Sequence, residues 1–270
     1  MPTSMLMREL VLNHPEFLAL LDAVHARHVV GIEPASLFPS DEGERRAILA
    51  QGEAALQQRG ALKRQEQGEY QLAPAFENLA RVVAYPEVAV ILVRNVTGVG
   101  PQLFLHYTAH DLAVEHSYPH EQAHRLAVLP DIPTMIERER YILELEETPQ
   151  TNAAVEMSED DFRAVRELAQ HQPRERAEAF LARHGVRAAD AAPLYQALAH
   201  PTFVGSVAVL RCGPEAIRDA RSIFVLQGAG SAWRATQKTP GEPVLLIQST
   251  NASDMKRQLL QYFEELSRPA

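Results

Sequence analysis

The stretch Pro86 to Leu129, PEVAVILVRNVTGVGPQLFLHYTAHDLAVEHSYPHEQAHRLAVL, carries the reading on which the fold turns. Up to Pro86 the apolar residues recur at helical spacing; beyond it the period becomes extended. Glu87 to Asn95 (EVAVILVRN) is rich in Val, Ile and Leu and reads as a buried strand. Gly98 and Gly100 mark a turn, and Gln102 to Thr108 (QLFLHYT) returns. Leu112 to Tyr118 (LAVEHSY) alternates, and Arg125 to Leu129 (RLAVL) is a fourth extended run. Strands joined by turns this short pair antiparallel, because a parallel crossover takes roughly a dozen residues or more. The expectation is an antiparallel β-meander packed with helices on one face, an α+β architecture.

Helices flank the meander. Pro15 to Ala26 (PEFLALLDAVHA) reads as a short amphipathic helix with proline in its first turn. Asp41, with Glu44 three residues on, resembles a capping box opening a helix to about Gln58, and Gly60 stops it. Ala61 to Leu72 (ALKRQEQGEYQL) reads as a hairpin with Gln67-Gly68 at its turn. Pro74 starts a helix that ends before Pro86, and Asp131 with Pro133 opens another to about Glu147.

The second half repeats this order. Ala84-Tyr85-Pro86 has its counterpart in Ala199-His200-Pro201, and Leu56 to Gly60 in Leu181 to Gly185. Val204 to Cys212, Ser222 to Gln227, Ser231 to Gln237 and Val244 to Gln248 answer the four strands in turn. Asn251 then caps a final helix, and Ser158 with Asp160-Asp161 reads as the amino-terminal cap of an earlier one. An offset of about 115 to 125 residues runs through the comparison. We therefore expect two pseudo-symmetric halves, about 44–147 and 158–267, within a single body spanning 1–270. Thr148 to Asn152 is the one weak boundary between them.

Composition narrows the function. The 270 residues are 46% hydrophobic and 23% charged, as expected of a globular chain. The formal net charge of −9 argues against gripping nucleic acid or an anionic membrane, since either task needs a cationic field. Lys63, Lys238 and Lys256 are the lysines and the remaining basic residues are arginine, a bias we attribute to codon usage. A single cysteine, Cys212, leaves no internal disulfide and no cysteine-based zinc site. Arg8 and Glu9 interrupt the first apolar residues before a signal-peptide core forms, and no apolar run reaches the ~20 residues of a membrane helix. A cytoplasmic protein without membrane insertion is expected.

His120-Glu121-Gln122-Ala123-His124 is a literal HExxH string. On a helix its histidines would face one way and bind zinc, with Glu121 as general base. Pro119 and Pro130 leave room for barely two helical turns, and Glu137 and Glu139 are poorly spaced as a third ligand. A zinc hydrolase using His120, Glu121 and His124 is therefore the alternative reading, and the leading one assigns no metal, cofactor or catalytic residue. His106, His110 and His116 extend the cluster; ordinary polar positions on a sheet face explain them best, with a pH-sensitive surface as the other reading. Ile48 to Leu72 resembles the end of a winged-helix module with Lys63 and Arg64 on the wing. Its helix sets Arg45, Arg46 and Arg59 against Glu44 and Glu53, so a DNA-binding regulator is a second alternative. Gly228-Ala229-Gly230 is too short for a phosphate loop, and Cys212 has no nearby histidine. Trp233 is either core or an interface anchor.

Taken together, Leu56 to Gly60, Ala84 to Pro86, Ala199 to Pro201 and the strand-rich run from Phe203 to Leu266 resemble the EspG family of ESX (type VII) secretion-associated proteins. The resemblance implies a cytosolic, non-enzymatic chaperone that binds a secreted, helical-hairpin type of protein partner and keeps it soluble before export. The family commonly carries a Gly-Arg-aromatic stretch in its last meander, where this chain reads Gly230-Ser231-Ala232-Trp233-Arg234. No partner-contacting residue carries over from the family.

Overall fold

A computed structural model describes residues 8–65, 70–96, 98–120, 122–147, 151, 153–214, 216–239 and 241–268. The chain divides into two compact units. The first holds the residues up to Val90, Phe104–Met135 and Arg211–Arg218; the second holds Ile91–Leu103, Ile136–Leu210 and Asp219 onward.

The first half of the chain runs β1 (Glu9–Asn13), α1 (His14–Ala23), α2 (Pro34–Leu37), α3 (Glu42–Gln58), β2 (Leu62–Arg64), β3 (Tyr70–Leu72) and α4 (Pro74–Ala84). The meander follows as β4 (Val88–Val96), β5 (Gly100–Ala109), β6 (Leu112–Ser117) and β7 (Ala123–Leu129), and then α5 (Ile132–Leu143). In the first unit the strands lie side by side in the order β1-β7-β6-β5, with the first residues of β4 next to β5. The four meander strands stand where the alternation places them. The turn expected at Gln67-Gly68 lies outside the described residues.

The strand β1 is a finding beyond the sequence reading. Glu9–Asn13 alternates exposed and buried residues and pairs antiparallel with β7, Leu10 opposite Leu126 and Leu12 opposite His124. The chain then turns at once into α1. Asn13 caps this helix by accepting from the Glu16 N–H, while its own N–H donates to the Glu16 carboxylate. Phe17, Leu18, Leu20 and Leu21 are fully buried, each contributing about 1.5–3 kcal/mol of transfer free energy. Asp41 caps α3 as expected, accepting from the Glu44 N–H at 2.8 Å.

The second half runs β8 (Ala154–Ser158), α6 (Glu159–His171), α7 (Arg174–Arg183), α8 (Ala188–Ala199), β9 (Phe203–Cys212), β10 (Ile217–Gly228), β11 (Ser231–Gln237), β12 (Val244–Thr250) and α9 (Ala252–Ser267). In the second unit the order is β9-β10-β11-β12-β8. The short strand β8, also unforeseen, pairs with β12 as β1 pairs with β7. Ser158 caps α6 by accepting from the Asp161 N–H, as the sequence indicates. A core of Val155, Met157, Phe162, Val165, Leu194, Leu198, Leu226, Trp233 and Ile247 fills the space between strands and helices α6 to α8. Trp233 is 3% exposed, which settles it as core. On α9, buried Asp254 is held by Arg234 at 2.8 Å, by the Thr250 hydroxyl and by Arg257.

The two halves are pseudo-symmetric in register as well as order. The cross-strand row Leu10, Leu126, His116, Leu105 in the first corresponds to Val155, Ile247, Ala235, Phe224 in the second. Both meanders are antiparallel and carry helices, the α+β class expected from the sequence.

Helix α3 approaches α1 closely at Gly52. A Cβ there would stand 1.9 Å from the Pro15 carbonyl oxygen and 2.9 Å from the Ala19 Cβ. The obstacle is backbone, which cannot swing aside. Gly52→Ala is expected to destabilise the protein by about 1–3 kcal/mol or more, despite the ~1 kcal/mol that alanine gains in helix propensity. Urea unfolding measures this; an unchanged or raised midpoint would contradict the close approach.

Candidate functional site

The HExxH string does not form a helix. His120 is exposed in the turn after β6, Gln122 has φ of 64°, and His124 is buried on β7. Glu121 lies outside the described residues. Both ring nitrogens of His124 face other histidines: Nδ1 lies 3.0 Å from Nε2 of His116, and Nε2 lies 3.1 Å from Nδ1 of His14. Among the described residues, no group of three or more His, Cys, Asp or Glu side chains is arranged to hold a metal ion.

The cluster histidines are not exposed sheet-face residues either, with one exception. His106 and His116 are fully buried on opposite faces of neighbouring strands; His110 stands in the β5–β6 turn, 3.3 Å from Glu87 and largely in water. On one face, His106 lies 3.4 Å from Glu115, which binds Arg125 at 2.7 Å, and Arg125 reaches Glu9 at 3.0 Å. On the other face, His116 and His124 sit beneath α1. The His124 ring stacks on Phe17 with centroids 4.0 Å apart and planes 15° apart, and Tyr118 lies 4.9 Å from His116. Burial holds both imidazoles neutral, with pKa values pushed down to about 3, and lowers His14 as well.

The corresponding place in the second unit is open. By register and helix position, His14, Phe17, His116, Tyr118 and His124 correspond to Glu159, Phe162, Ala235, Gln237 and Leu245. All five of the latter line a groove of about 310 Å³ between α6 and the strands. Smaller or flexible side chains stand where the first unit stacks rings, and space results. Phe224 meets Phe162 edge-on at 5.8 Å. The Arg166 guanidinium lies 4.9 Å from the Phe224 ring centre and 6.0 Å from that of Phe162. Among the described residues Arg166 has no ion-pair partner, and its partial burial lowers its proton affinity. An apolar floor with one uncompensated cation and the Ser206 and Ser222 hydroxyls can hold a mixed apolar and anionic group.

The other residues singled out from sequence are occupied structurally. Arg46 binds Glu42, Arg59 binds Glu16 and the Val11 carbonyl, and Arg45 lies over Phe38, so the wing-like piece presents no free basic face in these residues. The Cys212 thiol is half-buried and pushed up to about 11, which leaves it protonated and poorly nucleophilic. No helix among the described residues is long and apolar enough to cross a membrane. The sequence reading missed Arg166, Phe162 and His14. The only available signal was the Arg163, Arg166 spacing along α6 beside Phe162, a pattern that also describes any solvated helix face.

Neither a family model nor a curated protein matches the sequence. Among solved structures the chain is similar to the Mycobacterium tuberculosis type VII secretion system chaperone EspG5, determined in complex with the PE25–PPE41 dimer. The TM-score is 0.69 at 15% sequence identity, over 95% of this chain and 96% of that chain. The two chains share a fold.

Because Arg166 packs on aromatic faces without a carboxylate, its contribution to stability should be insensitive to salt. Arg166→Ala is expected to cost about 0.5–1 kcal/mol, equally in low and high salt. Paired urea titrations measure it; a loss that disappears in high salt would reveal an ion pair instead.

Proposed function

We propose that this chain is a non-enzymatic, protein-binding chaperone of the type VII secretion class, acting in the cytoplasm on a secreted partner before export. The observation that carries the reading is the fold shared with EspG5 along nearly the whole of both chains. The open groove beside α6 supports it, because it offers apolar surface and an uncompensated cation rather than a set of reacting groups. The partner in this reading is a secreted protein of helical-hairpin build; that the structural neighbour was determined in complex with another protein, the PE25–PPE41 dimer, supports a protein partner.

The proposal extends to domain organisation. The halves, assigned to about 44–147 and 158–267 from sequence, are taken to be copies of one module within a single body, each opening at its short first strand, β1 or β8. The matching registers support duplication. In one copy the space under the first helix is filled by imidazole and phenol rings; in the other it is kept open for a partner.

Co-expression with type VII helical-hairpin protein pairs, followed by size-exclusion chromatography with light scattering, tests the function. A stoichiometric complex is expected, formed by the 30.0 kDa chain and one such pair. Arg166→Glu should weaken that complex by tenfold or more, well beyond the small loss of stability that lifting the guanidinium off the Phe162 and Phe224 rings brings. Elution of the chain alone beside every pair tried would overturn the reading.

A further inference from the structure

Three imidazoles lie end to end in the first unit, His116 and His124 buried and His14 half-buried at the outer end, and their contacts leave little freedom. A neutral imidazole has one N–H donor and one bare acceptor nitrogen. Nδ1 of His116 is buried without a hydrogen-bond partner among the described residues, and an orphaned N–H is the less tolerable state there. The His116 proton therefore sits on Nε2 and is donated across 3.0 Å to Nδ1 of His124, whose own proton is then on Nε2. Nδ1 of His14 is therefore an acceptor, and Nε2–H of His124 donates to it across 3.1 Å.

We infer that His116, His124 and His14 form a one-way neutral imidazole chain that makes the β1–α1 segment an acid-released latch of the first unit. A proton added to His14 or His124 avoids setting two N–H groups against each other only if His116 moves its own proton to Nδ1, where nothing among the described residues receives it. A proton added to His116 would place a charge at a buried nitrogen with nothing to receive it.

The surroundings offer no compensation. Phe17 of α1 stacks on His124, and Leu12 of β1 stands opposite it. Tyr107 of β5 donates its hydroxyl to the Val30 carbonyl, and Tyr118 borders both His116 and His124; both phenols stay neutral, with proton affinities raised by burial. From α2 the chain meets only the Leu37 backbone. The carboxylate of Glu16 on α1 is taken by Arg59, which follows α3, and by the Asn13 N–H. His106, Glu115, Arg125 and Glu9 belong to the opposite face of the strands.

The sign of the pH effect follows. Seated, His116 and His124 stay neutral down to about pH 3. Released into water they would titrate near 6.5. Release therefore binds protons, and between those limits each ring favours it by up to about tenfold for every unit of falling pH. The latch is closed above about pH 6.5 and loosens progressively below it. Its loss would take β1 off β7 and uncover the ring-lined face beneath α1.

Long-range proton–nitrogen NMR on the full chain at pH 7.5 reads the tautomers directly. Three of the 11 histidines should be neutral and protonated on Nε2 at pH 7.5, and His116 and His124 should remain so at pH 5.5. A Nδ1–H tautomer at any of the three positions at pH 7.5, or an imidazolium at His116 or His124 at either pH, would overturn the chain. Hydrogen-exchange mass spectrometry from pH 7.5 to 4, corrected for intrinsic rates, reads the latch. Residues 9–23 should lose protection before 231–237, and His116→Phe should lower the release midpoint by half a pH unit or more. Simultaneous loss in both segments, or an unmoved midpoint in the variant, would contradict the proposal. Should the variant fail to fold, the two wild-type measurements decide.

Discussion

Leu10 faces Leu126 across β1 and β7, and Val155 faces Ile247 across β8 and β12. In each unit the first strand in sequence pairs with the last strand of the meander, and the rest of the unit depends on that non-local ladder. Because side chains alternate with a period of 2, this pairing decides which face of every meander strand lies under the helices. The helix that follows each short strand begins at once, capped by Asn13 or Ser158, and has no freedom to leave that face. Closure across about 110 residues or more in the first unit and about 90 in the second carries a loop-entropy cost that local turns do not, and the apolar rows beneath α1 and α6 offset it.

With the same register in both halves, side-chain volume alone determines what lies under the first helix. Rings at His116, Tyr118 and His124 stack beneath Phe17 and leave the face closed. Ala235, Gln237 and Leu245 at the corresponding positions leave a groove under Phe162. The closed site is neutral because its imidazoles are desolvated; the open one keeps a charge because Arg166 rests on aromatic faces while still meeting water. One architecture thus yields a ring-filled face in one half and an accessible groove in the other.

The meanders were legible because their strands are long, alternate in polarity, and are separated by glycines such as Gly98, Gly100 and Gly230, all at positive φ. The helix caps at Asp41, Ser158 and Asn251 were legible for a similar reason: each is a local hydrogen bond between residues three apart. Five-residue ELVLN and AVEMS were not, since so short an alternation has no meaning until its partner strand is known. The sites were less legible still. His14 and His124 are 110 residues apart in sequence, and Arg166 gains its character from Phe224 on a distant strand. The HExxH string shows the converse: its spacing is informative only on a helix, and here His120 lies in a turn and His124 on a strand.

Native mass spectrometry of the untagged chain isolated from its own cells tests the proposed binding of another polypeptide. A species heavier than 30.0 kDa that dissociates into this chain and a different polypeptide is expected. A spectrum containing only the chain itself, or multiples of its mass, would contradict it.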